Sequence, residues 1–113
     1  MIPQALIAAS TKPLILSILA KREESYGYEI IQLVKQVSGG HLHWSDGMLY
    51  PVLHRLERQG LIAARWGVSD SGRRRKYYRL EPTGAQALER EKQHWMQVHT
   101  TLIELWNLEP RLT

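Results

Sequence analysis

Apolar side chains recur at intervals of three and four along most of this chain, switch to every second position for one stretch, and then return to the longer period. Leu6 and Ile7, followed by Leu14, Ile15, Ile18 and Leu19, mark one face of a first helix. Pro13 falls inside it. Because proline lacks an N–H and its ring crowds the preceding turn, a kink or break is expected near Thr11 and Lys12. A second helix starts at Ser25-Tyr26-Gly27, carries Ile30, Ile31, Val34 and Val37 on one side, and stops at Gly39-Gly40. The stretch His41 to Trp44 leaves room only for a small bridging strand.

A third helix is expected from about Asp46 to Gln59, with Ser45 as its N-cap and Gly60 as its stop. Leu49, Val52, Leu53 and Leu56 fall at i, i+3, i+4 and i+7 and form its buried stripe. Met48, Pro51, His54, Arg55 and Arg58 lie on the other face, with Tyr50 beside them. Pro51 is tolerable if the regular helix begins at Gly47 or Met48, since the first helical N–H groups have no partner within the helix. The period then changes to two: Ile62, Ala64, Trp66 and Val68 alternate with smaller or polar residues, and so do Lys76, Tyr78 and Leu80. The turn sequence Ser69-Asp70-Ser71-Gly72 joins the two runs into a β-hairpin. Pro82 halts the second strand, and Thr83 is expected to cap a final helix that reaches about Leu108, before Pro110.

Three helices, a hairpin and a long last helix predict an α+β, mainly helical fold, a winged helix-turn-helix with a long C-terminal dimerisation helix. Residues 1–82 would form the winged DNA-binding domain, and residues 83–113 the dimerisation helix packed with the first. Leu88, Trp95 and Leu102, with Val98 and Leu105, occupy a and d positions of a heptad interrupted by Glu91. So long a stripe exceeds what a small core can cover, so it is expected to pair with the first helix and with a second subunit.

Charge sharpens this picture. The 113 residues carry a net +4, with 43% hydrophobic and 23% charged residues, as in an ordinary globular chain. Between positions 65 and 79, however, six positive side chains (Arg65, Arg73, Arg74, Arg75, Lys76 and Arg79) face one acid, Asp70, a net +5. A basic hairpin on a nearly balanced body implies a polyanionic partner. Double-stranded operator DNA fits, with Arg73, Arg74, Arg75 and Lys76 on phosphates. Met48, Leu49, Tyr50 and His54 would meet base edges at the front of the third helix, near Ser45. Lys12 and Tyr26 are further candidate phosphate contacts, although the Tyr26 hydroxyl could equally cap the neighbouring turn.

Taken in order, Tyr26-Gly27-Tyr28-Glu29-Ile30, Leu49-Tyr50-Pro51, Arg55-Leu56-Glu57, Gly60-Leu61-Ile62 and Gly72-Arg73-Arg74-Arg75-Lys76-Tyr77-Tyr78-Arg79-Leu80 resemble the PadR family of bacterial transcriptional regulators. The resemblance runs from about Ile2 to Leu108 and is nearest to the small, multidrug-responsive branch. It implies a homodimeric repressor that releases its operator on binding a planar aromatic molecule between paired tryptophans. By that resemblance Leu6, Ala9, Pro13 and Leu16 of the first helix would wall the ligand pocket with Trp95 and His99. A second reading has Trp95 simply filling the dimer interface. The chain departs from the family pattern at Met48, where a threonine usually stands, and so lacks a hydroxyl able to bond a base or phosphate.

Other classes fit less well. No Gly-rich phosphate loop or nucleophile–base spacing marks an enzyme, and no cofactor is expected. His41 and His43 could share one side of a strand, but no carboxylates converge with them, so no metal site is expected. The absence of cysteine, of a secretory leader and of an apolar run near 20 residues points to a cytoplasmic protein without membrane contact. A winged helix used for protein–protein contact remains the alternative.

Overall fold

A computed structural model describes residues 1–108. Its elements are α1 (Gln4–Lys21), β1 (Ser25–Tyr26), α2 (Gly27–Val37), α3 (Asp46–Arg58), β2 (Ile62–Val68), β3 (Arg74–Leu80) and α4 (Pro82–Leu108). The last five positions of the expected 83–113 segment, Pro110 among them, lie outside the described residues.

The buried stripe of α3 follows from its sequence: Leu49, Leu53 and Leu56 are fully enclosed. They pack with Ile15, Leu16 and Leu19 of α1 and with Ile30 and Val34 of α2. Each such side chain contributes roughly 1.5–3 kcal/mol relative to exposure, so the stripe fixes which face of α3 points outward. Both α2 and α3 end in the same way. Gly39 and Gly60 adopt φ of 64° and 75°. Beyond them the amides of Gly40 and Leu61 donate back to Lys35 and Leu56 carbonyls, closing Schellman caps.

Several local expectations are corrected. α1 runs through Pro13 without a break. The Ser10 and Thr11 hydroxyls both donate to the Ile7 carbonyl one turn earlier, which ties the chain together ahead of the proline. No strand forms over residues 41–44. The bridging strand is instead β1, Ser25–Tyr26, which pairs antiparallel with β3. α3 begins at Asp46, earlier than the proline argument required. Pro51 therefore sits in the second turn and leaves the exposed Gly47 carbonyl without its helical donor. Thr83 does not cap α4; its hydroxyl donates to the Gly60 carbonyl at 2.6 Å. Pro82 takes the first helical position, where a missing N–H costs nothing.

The sheet order is β1-β3-β2, so β3 is bonded on both edges. Tyr78 in β3 is fully buried, whereas Trp66 and Val68 in β2 are 58% and 71% exposed because the hairpin leaves the core beyond Ala64. On the opposite side α4 rests against α1 through Ala87 and Leu88, and its exposed apolar residues from Trp95 to Trp106 have no cover of their own.

The junction of α3, β2 and α4 is close enough to forbid a side chain. A Cβ at Gly84 would collide with the Leu61 carbonyl oxygen and crowd Leu80 Cδ1. Gly84→Ala is expected to destabilise the fold by about 1–3 kcal/mol, read as a fall in thermal midpoint. An unchanged midpoint would mean that the helix start has slack.

Candidate nucleic-acid interface

The front turn of α3 is prepared by its cap. Ser45 Oγ accepts from the Met48 amide at 3.2 Å, and Asp46 lies in the first turn, where a carboxylate complements the helix dipole. One turn further, Tyr50 leans on the start of α2, where Gly27 leaves it room: a Cβ there would lie 2.5 Å from the Tyr50 hydroxyl. The hairpin rises beside these two helix ends. Between them lies an open groove of about 660 Å³, lined by Tyr26, Gly27, Tyr28, Asp46, Tyr50, His54, Trp66, Arg73, Arg74, Arg75, Lys76 and Tyr78.

The groove thus brings together Tyr26, Tyr50, His54, Arg73, Arg74, Arg75 and Lys76 from the sequence-based list. It does not gather the rest. Leu49 is fully buried and cannot reach a base, a correction that its place in the apolar stripe already required. Met48 is half-buried, packs against the core and lies outside the groove lining. Ser45 is exposed but spends its hydroxyl oxygen on the cap. Lys12 lies half-buried within α1, away from the groove lining. Tyr28, Asp46 and Trp66 line the groove and were not anticipated. For Trp66 the strand alternation grouped it with buried Ile62, and only the departure of the hairpin from the core reverses that.

The wing's charge is partly spent internally. Arg65 Nε donates to Glu24 Oε2 at 2.9 Å, and its Nη2 donates to Oε1, a bidentate pair. Lys76 Nζ lies 3.3 Å from Glu57 of α3, and Arg79 lies 3.6 Å from Glu81. Among the described residues, Arg73, Arg74 and Arg75 form no ion pair. Two of these rest on rings: Arg74 over Trp66 at 4.7 Å and Arg75 over Tyr26 at 4.2 Å. Tyr26 makes no capping hydrogen bond at the α2 start.

Charge and burial move three titrations, one of them that of Arg65, raised chiefly by its hydrogen bond to Glu24. The hydrogen bond from Arg65 holds the Glu24 carboxyl below the usual carboxylate range; desolvation opposes it, and the charges of Arg65 and Arg79 add to the lowering. Burial, then the nearby Glu57 and Tyr50, push the Tyr78 hydroxyl up to about 12. That hydroxyl is enclosed without a hydrogen-bond partner among the described residues.

Between α1 and α4 lies a second groove of about 470 Å³, with a mainly apolar surface. Leu6 and Pro13 line it with Leu14, Leu88, Trp95 and Met96. Leu16, expected as a pocket wall, is instead fully buried in the core, and Leu88, expected at a subunit interface, is 3% exposed against its own chain. The helical period turns both inward. Ala9 and His99 are exposed and lie outside this lining. No helix among the described residues is long and apolar enough to cross a membrane, and none of their His, Asp or Glu side chains cluster in threes as metal ligands would.

Comparison with known proteins agrees with this architecture. The profile of the "Transcriptional regulator PadR-like family" matches residues 15–90. A transcriptional regulator from Clostridium thermocellum superposes with a TM-score of 0.82 at 27% identity, covering 92% of this chain and 97% of that one. A PadR-like transcriptional regulator from Bacillus cereus gives 0.79 at 31% identity, over 91% and 97%. A Mycobacterium tuberculosis transcriptional regulator is 42% identical over 60 residues, 53% of this chain and 55% of that protein.

Tyr78 supplies a test of the buried sheet. Its folded-state pKa lies above the unfolded one, so its contribution to stability is complete below pH 10 and is lost as pH rises from about 10 towards 12. In an ultraviolet absorbance titration one of the five tyrosines should ionise only near pH 12, and Tyr78→Phe should remove that late step. A late step that survives the substitution would contradict the assignment.

Proposed function

The chain belongs to the PadR-like family of transcriptional regulators, and from that premise we propose that it works as a homodimeric, ligand-released repressor. PadR-like regulators bind DNA, and α3 is the element suited to the major groove, with Tyr50 and His54 towards base edges. Residues 1–82 then act as the DNA-binding unit and α4 as the dimerisation element. Arg73, Arg74 and Arg75 lie along the phosphate backbone, where guanidinium groups bond oxygens in a bidentate manner. The observation that carries this reading is the groove between α3 and the wing, whose rim holds three arginines that form no ion pair among the described residues.

Dimerisation is supported by the uncovered face of α4. Trp95, Val98, Leu102, Leu105 and Trp106 are all at least 38% exposed, an apolar stripe that a lone chain leaves in water. A second copy burying that stripe would bring two α3 helices to one face, so that two half-sites about one duplex turn apart are read as a near-palindrome. The apolar groove beside Trp95 would then take a planar aromatic ligand. Release follows if the ligand favours a subunit spacing that separates the two α3 helices. A 100-fold shift of the operator-competent population needs roughly 2.7 kcal/mol of differential affinity.

Three arginines per subunit without a carboxylate partner give about six neutralised phosphates per dimer, so log K against log salt should fall with a slope of about −5. Replacing all three with alanine should flatten it towards zero; a steep slope that survives the triple substitution would remove the wing from the interface. Planar aromatics should quench tryptophan fluorescence and weaken DNA binding, and Trp95→Ala should abolish both effects. Retention of both would assign the ligand elsewhere.

A further inference from the structure

Arg75 does not project freely from the wing. Its guanidinium carbon lies 4.2 Å above the Tyr26 ring, and Tyr26 belongs to β1 at the entry of α2, not to the hairpin. Tyr26 in turn meets Tyr77 edge-on, with ring centroids 5.7 Å apart and planes at 76°. The Tyr77 ring supports a second guanidinium, that of Arg65, at 4.7 Å. Arg65 is held at its other end by the bidentate pair with Glu24. Two arginines of β2 and β3 therefore bracket two tyrosines, and the stack joins the hairpin to the segment that opens α2.

We propose that Tyr26 is a positioning residue for DNA binding: its ring face holds Arg75 at a fixed height beside the front of α2, so that the arginine meets a phosphate already oriented. A free arginine loses rotamer freedom when it engages a phosphate; one already laid on a ring has lost most of it beforehand. The ring also spares the guanidinium edge, where all its N–H donors lie, because stacking uses only the face. The role rests on the wing meeting DNA, as proposed above. It differs from a direct contact of the Tyr26 hydroxyl with the backbone, which would need the oxygen rather than the ring.

A fluorescently labelled duplex of mixed sequence serves as probe, because phosphate contacts do not depend on the operator. Arg75→Ala is expected to weaken binding about tenfold and to lower the magnitude of the salt slope by about 2 for a dimer. Tyr26→Ala should reproduce most of both changes, and the double variant should be within about twofold of Arg75→Ala. Tyr26→Phe, which keeps the ring, should rescue most of the affinity and the slope. Tyr26→Leu preserves bulk on the strand without a π face and should bind as weakly as the alanine variant while keeping the wild-type thermal midpoint. Additive losses, wild-type binding by Tyr26→Leu, or a Tyr26→Phe variant as weak as Tyr26→Ala would each overturn this role alone. Wild-type binding by Arg75→Ala would overturn it as well, whereas the wing's part in DNA binding falls only if the triple arginine variant also keeps its steep slope.

Discussion

The position of β3 between β1 and β2 governs how this molecule can use its charge. A hairpin joined to the body by one strand alone could swing about its base. Here β3 is bonded along both edges, with Ser25 opposite Tyr78 and Tyr26 opposite Tyr77 on one side and seven residue pairs on the other. Tyr78 is driven into the core at that point, and Lys76 pairs with Glu57 of α3. The wing is thus fixed to α2 through β1 and to α3 through an ion pair. Individually these surface contacts are small, about 0–1 kcal/mol for an exposed ion pair and 0.5–1 for an exposed cation–π contact. Their effect is to set geometry, and they act together because all share the same strand.

Most of the architecture was legible in the sequence because it follows from periodicity. The stripe of α3, the hairpin turn at Ser69–Gly72 and the two glycine-capped helix ends depend on local pattern, and the structure has them at the expected positions. What escaped depends on contacts distant in the chain. β1 is two residues long and exists only because β3 offers it a free edge. Thr83 looked like a helix cap, but a carbonyl 23 residues earlier takes its hydroxyl. Trp66 shares the alternating phase of buried Ile62, yet the strand outruns the core there.

The candidate site was read with the same mixture. Formal charge located the wing, but not which cations are paired: Arg65 and Lys76 meet Glu24 and Glu57 from distant parts of the chain, and Arg79 meets Glu81 two positions on. Leu49 and Leu16 were assigned outward roles that their own helical phase contradicts, since both belong to the fully enclosed core. Where a residue type suits two purposes, the apolar stripe is the stronger guide, because burial of a leucine outweighs any single exposed contact.

The groove between α3 and the wing and the uncovered face of α4 lie on separate parts of the chain, and in the proposed repressor a second copy relates them. The whole account therefore turns on association through the stripe from Trp95 to Trp106. Sedimentation equilibrium at micromolar concentration measures this directly. A single species of twice the 13.1 kDa chain mass, returned to monomer by Leu102→Glu, is the predicted result. A wild-type protein that sediments as a monomer would contradict it.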